Sequence, residues 1–169
     1  MRLNRLLALG AFVAAALAFT AAAAQSSGWQ AYENPAWGYR VQYPDYLFSA
    51  FSEAPENGGA TITTPDGVAR LSLFGGPNVR GGGPRELADD LSLLQDIHQV
   101  TYRRVADDWV VLSGYLADDA GANDIIFYQR IEVSPDGERI AGFSLEYPVA
   151  MRASVDHLIG AMGRSLRVY

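Results

Sequence analysis

Five glycines and two arginines crowd the stretch LFGGPNVRGGGPREL, residues 73 to 87, immediately before a pattern that begins a helix. Glycine-rich turns at helix starts expose backbone amides, and nature uses them to hold phosphates. A P-loop needs Gly-Lys-Ser/Thr after four intervening residues, whereas from Gly76 this chain reads GPNVRGG, with neither lysine nor hydroxyl. The dinucleotide fingerprint needs a parallel crossover that the surrounding hairpin pattern does not offer. What remains is a small-anion site within residues 75–85, with Gly82 and Gly83 leaving amides open and Arg80 and Arg85 beside them. Glu86 competes for the same helix dipole. The plainer reading, which we favour, is a glycine-capped joint.

DDAGAND, residues 118 to 124, offers Asp118, Asp119 and Asp124 as oxygen ligands for a metal ion. An EF-hand loop needs oxygens at alternating positions, and Ala120 and Ala122 stand where two of them belong. A polar hairpin tip accounts for the same residues. Gly142-Phe-Ser144-Leu-Glu146 misses the nucleophile elbow at its last residue and lies within a strand pattern. A serine hydrolase would have to recruit His98 or His157, and His157 falls on the polar side of its helix. No paired-histidine zinc motif and no cofactor fingerprint occurs. Asp89-Asp90 and Asp107-Asp108 read as solvated faces and turns rather than as carboxylates opposed across a cleft. The residues therefore point away from an enzyme. Aromatics supply the remaining signal: Trp29, Trp37 and Tyr39 open a run of eight between residues 29 and 51, and part of that cluster is a candidate interface.

The elements that must position these groups are legible by period. IIFYQRIEV places Ile125, Phe127, Ile131 and Val133 on one face and Tyr128, Arg130 and Glu132 on the other. RIAGFSLEY alternates likewise, and SPDG between the two is a hairpin turn. TPDG joins GATIT to VARLSLF by the same device, and VTYRRV pairs with WVVLSGY around ADD. Helical spacing marks PRELADDLSLLQDI, with Leu87, Leu91 and Leu94 aligned, and a second segment from about Pro148 to Arg164. Met151, Val155, Leu158, Ile159 and Met162 form the apolar face of that second helix, which Gly160 and Gly163 weaken unless it docks. The expected class is α+β: an antiparallel sheet of about six strands built from hairpins, flanked by two amphipathic helices.

MRLNR followed by LLALGAFVAAALAFTAAAA and QSSG has the charge, apolar run and small-residue end of a secretory signal peptide. Cleavage is expected between Ala24 and Gln25, leaving residues 25–169 as one soluble periplasmic or secreted domain; the alternative is an uncleaved membrane anchor over Leu6 to Ala24. The whole chain carries a net charge of −6, and losing Arg2 and Arg5 makes the exported part more acidic still. Such acidity disfavours nucleic acid and anionic lipid as partners. There is no cysteine, so disulfides, thiol catalysis and a lipid-anchored cysteine are all excluded. Every basic residue is an arginine.

ENPAWGYRVQYPDYLF, with Asn, then an aromatic and Gly-Tyr, then a strand ending in Tyr-Pro, resembles the opening hairpin of PsbP-like proteins. VTYRRVADDWVVLSGY, IIFYQR and a strand ending EYP before a final helix continue the same plan, so the resemblance runs from about Trp29 to Tyr169. That fold is named for an extrinsic photosystem II subunit and includes a Ran-GTPase release factor and exported bacterial proteins. The resemblance implies a non-catalytic binding domain, and it transfers no functional residue; no cofactor is expected. The expected function is therefore an exported accessory domain that docks onto another protein of the cell envelope. The alternative is a small-anion or metal-ion binder using residues 75–85 or 118–124.

Overall fold

The computed structural model describes residues 28–93, 96–117 and 124–169; the expected leader at residues 1–24 and Asp118 and Asp119 of the acidic loop lie outside the described residues. In chain order the elements are β1 (Gln30–Asn34), β2 (Tyr39–Tyr43), β3 (Ala50–Glu53), β4 (Gly59–Thr63) and β5 (Arg70–Pro77). Then follow α1 (Pro84–Leu91), β6 (Ile97–Val105), β7 (Trp109–Leu116), β8 (Ile125–Val133), β9 (Arg139–Pro148), α2 (Arg152–Ser165) and β10 (Arg167–Val168). Seven strands form one antiparallel sheet in the order β3-β4-β5-β9-β8-β7-β6, and β1-β2-β10 form a second, smaller one.

The class is α+β with two helices, as the patterning predicts, but the count of about six strands needs correction. The six strands read by alternation are all in the larger sheet. Outside that reading were β1 and β2, which entered only through the resemblance of the opening hairpin, β3, whose four residues are all exposed and so show no alternation, and the two-residue β10. The first helix is also shorter than its leucine spacing predicts. It ends at Leu91, where the Ser92 hydroxyl donates to the Ala88 carbonyl at 2.6 Å, and Ile97 already belongs to β6. Leu94 lies outside the described residues.

The larger sheet is covered on both faces. On one, Val155, Met162 and Leu166 join Tyr39 and Val41 of β2 over Leu71, Leu73, Phe143 and Leu145. On the other, Ala88 of α1 sits over Val110, Leu112, Phe127 and Ile131. Residues 126 and 127 are consequently both buried, on opposite faces. Two-sided burial of this kind supplies the apolar area that a disulfide-free domain requires.

The two Pro-Asp-Gly turns close β4 to β5 and β8 to β9. In each, a buried hydroxyl, Thr64 or Ser134, donates to the aspartate two residues on, and that aspartate also accepts a backbone N–H, from Val68 at 3.1 Å or Glu138 at 3.0 Å. Gly67 and Gly137 take the positive φ, +72° and +77°, that the turns demand. The Ser134 hydroxyl, then the Glu138 amide and Arg139, pull the Asp136 pKa down to about 2, and Thr64 and Val68 lower that of Asp66. A carboxylate whose folded pKa is depressed stabilises the fold above its ordinary pKa and ceases to do so as pH falls through the folded value. Melting temperature should therefore drop between about pH 4 and pH 2. Asp66→Asn with Asp136→Asn should flatten that part of the curve; an unchanged slope in the double variant would remove these turns as its cause.

Candidate functional site

Helix α2 covers only part of its face of the larger sheet. It packs over β5 and β9, and toward the free edge it leaves the α2-side residues of β8, β7 and β6 open: Tyr128 and Arg130, then Trp109, Ser113 and Tyr115, then Tyr102 and Arg104. Strand alternation puts them on one face, since Ser113 pairs with both Tyr128 and Tyr102. Between these residues and α2 runs a groove made of two adjoining cavities of about 290 Å³ and 350 Å³. Tyr128, Ile159 and Gly160 line both, so the groove is continuous. The glycines of α2 have a local role here. Gly160 and Gly163 keep the helix surface low along the groove, and the Arg130 side chain lies 3.4–3.7 Å from where a Cβ on Gly163 would project.

At one end, Arg152 donates to the Tyr115 hydroxyl at 3.3 Å and lies 4.0 Å from Asp156. Asp156 accepts the Tyr147 hydroxyl at 2.7 Å, tying α2 to β9. Burial, then the hydrogen bond to Asp156, pushes the Tyr147 phenol well up, and burial also raises that of Tyr128. Tyr128 stacks on Phe143 beneath, with centroids 5.9 Å apart and planes at 22°. At the other end, Arg130 makes two bonds to one oxygen of Glu132, at 2.7 and 3.1 Å, and its guanidinium lies 4.3 Å from the Trp109 ring centroid. Arg104 lies over the same ring at 5.2 Å. Burial raises the Glu132 pKa, and Arg130 opposes the shift.

Arg130, Arg152, Arg164 and Arg167 thus line the groove, with Arg104 over Trp109 beside it; Asp156 lies within the groove against Arg152 and Tyr147, and Glu132 sits next to it, bound by Arg130. In a chain of net charge −6 this is a local basic surface. It can bind carboxylates through planar guanidinium forks and stack apolar or aromatic groups on phenol rings. No nucleophile–base pair is formed there.

The other candidates are placed differently. Arg80 is paired with Asp90 of α1 at 2.7 Å, on the outer side of the loop. Gly83 caps α1, Gly81 takes φ +62°, and Asn78 holds the loop to the β8–β9 hairpin through Gly82 and Gly137 carbonyls, both at 2.9 Å. Beside Gly82 and Gly83 lies a cavity of about 420 Å³ whose other wall carries Asp107, Asp108 and Glu132. Those carboxylates oppose an anion at the helix start, and Arg85 stands exposed on the helix itself. Asp124 is exposed, and its carbonyl accepts the Val149 N–H at 2.8 Å. Among the described residues no three His, Asp or Glu side chains gather as metal ligands, and no helix is long and apolar enough to cross a membrane. Ser144 lies on the α1 side of the sheet, opposite the face that carries α2 and His157, so the sheet separates the hydrolase candidates.

The aromatic interface also needs correction. Tyr39 is fully buried because its ring packs against Gly75, where a Cβ would come within 2.5 Å of it, so it belongs to the core. Trp29 and Trp37 are half-buried against the same cluster. The signal that could have found the groove was present in the alternation itself: Tyr128, Arg130 and Glu132 form the polar face of β8, and Tyr102 and Arg104 that of β6.

No family model matches the sequence, and no curated protein matches it. The fold, however, is similar to solved structures. Cyanobacterial PsbP (CyanoP) from Synechocystis sp. PCC 6803 aligns with a TM-score of 0.62 at 13% identity, over 87% of this chain and 96% of that one. The Saccharomyces cerevisiae Ran-binding protein Mog1p aligns with a TM-score of 0.56 at 12% identity, over 83% of this chain and 95% of its own. With the opening hairpin, the covered sheet and the final helix all in place, the chain has a PsbP-like fold.

Proposed function

We propose that this chain is a non-catalytic, exported accessory domain that docks onto another protein of the cell envelope, and that the groove beside α2 is its docking face. The groove is the observation that carries the reading. It is long, open and lined by tyrosines and arginines, with Trp109 against Arg130 beside it, and these are the residue types that dominate protein-binding hot spots. A similar fold in a Ran-binding protein supports a protein partner. The basic, apolar and small-residue succession at residues 1–24 supports export.

Tyr102 is the point at which to test this, because it borders the groove and is 49% exposed, so replacing it costs little stability. With a photoreactive phenylalanine analogue at position 102, illumination of intact cells should give a discrete adduct in the periplasmic or membrane fraction. The same analogue at Arg85, on α1 across the sheet, should give none. Adducts of equal yield from both positions, or from neither at native abundance, would sink the docking face.

A further inference from the structure

The dimensions and charge of the groove say what kind of segment it takes. Arg152 and Arg164 are twelve residues apart on α2, which at 1.5 Å per residue separates them by about 18 Å. An extended peptide covers that length in five or six residues at about 3.3 Å each. One end of the groove is cationic, with Arg164 and Arg167; at the other Arg152 is balanced by Asp156 4.0 Å away, and the middle is the neutral surface of Tyr128, Ile159 and Gly160. Glu132 is bound by Arg130 and leaves Arg164 and Arg167 in excess, so that end of the groove is a net attractor for negative charge.

We infer that the groove binds an extended segment of the partner protein, about six residues long, acidic at the end that meets Arg164 and Arg167, apolar or aromatic along Tyr128 and Ile159, and polar and uncharged at the Arg152–Asp156 end. This rests on the docking reading above and adds the chemistry of the occupant. A compact anion fills only one end of so long a groove. A long polyanion meets the field of a chain whose net charge is −6 as soon as it leaves the groove. A short segment whose charge is confined to the Arg164–Arg167 end satisfies the groove and avoids that repulsion.

The test is fluorescence anisotropy with the full chain and a labelled hexapeptide carrying two carboxylates at one end, a tyrosine and a leucine in the middle, and two serines at the other. Binding should weaken as salt rises and should fall at least tenfold in Arg152→Gln/Arg164→Gln/Arg167→Gln. Arg85→Gln should leave it unchanged. Circular dichroism checks that the triple variant is folded, and Tyr128→Trp supplies an independent probe, because its fluorescence should respond to the peptide. Equal affinity for the lysine counterpart of the peptide, competition by inorganic phosphate at the same occupancy, or indifference to the arginine variant would each overturn the inference. Adducts formed in cells at position 102 separate the two readings. If their partner segment is neutral or basic, the docking face stands and the acidic occupant falls. If no adduct forms and the peptide does not bind, both fall.

Discussion

Phe143→Ala should remove about 3–5 kcal/mol of stability, the range for emptying a fully buried aromatic site. Phe143 is completely buried at the middle of β9, between Ala141 and Leu145 on the face that carries α2. Its ring lies under Tyr128 and pairs across the sheet with Leu73 on one side and Arg130 on the other. No alternative side chain can fall into the space, because each strand neighbour is held in the ladder. Domains of this size have about 5–15 kcal/mol in total, so the loss takes a large share of it, in a chain with no cysteine to supply a covalent tie. Urea titration should show the midpoint falling with the slope unchanged. A loss below about 1 kcal/mol would mean that α2 settles into the cavity, and would contradict the packing described here.

Gly142→Ala should cost about 2–3 kcal/mol, from crowding rather than from a cavity. A Cβ on Gly142 would lie 2.1 Å from the Arg130 carbonyl oxygen and 3.0 Å from Cζ of Phe74. The oxygen belongs to the backbone of β8, and the ladder pairs Ile131 with Gly142 at that point, so β8 must move for a methyl group to fit. The movement would occur where Arg130 contacts Trp109, so tryptophan emission should shift together with the loss of stability. Gly76→Ala is the control, because nothing lies within 4 Å of its Cβ position. Equal melting temperatures for the two variants would show that β8 and β9 are not held as closely as the structure has them.

Much of the fold was legible because its signals are local. SPDG and TPDG carry their own turn chemistry, a hydroxyl, a proline, an aspartate and a glycine in fixed order, and both hairpins form where those residues stand. The apolar face of α2 was legible from spacing, with Val155, Leu158 and Met162 buried as the period requires. The small sheet was less so. β1 is mostly polar and exposed, and β10 is a two-residue strand whose only pairing is with β2, more than a hundred residues earlier in the chain. The candidate sites fared differently again. Glycine and arginine near a helix start look like an anion site in one dimension, yet Arg80 turns to Asp90 while Asp107 and Asp108 come from the β6–β7 turn to face the loop. Tyr39 is an aromatic among aromatics in the sequence, and only its fit against Gly75 of β5 makes it core.

By itself the sequence determined the α+β class, the hairpin pairings and the buried face of the second helix, because each depends on the period or turn chemistry of residues close together in the chain. The groove was decided by tertiary structure alone. Tyr102, Trp109, Tyr128, Arg130, Arg152 and Arg164 come from three strands and a helix, and although alternation puts the strand residues on polar faces, nothing in the sequence says that those faces meet. They become a single basic, aromatic surface only because α2 crosses one side of a seven-stranded sheet and leaves β6 to β8 uncovered beside it. Helix placement of this kind is set by how Val155, Met162 and Leu166 fit over β5 and β9, a long-range packing choice that no local pattern encodes.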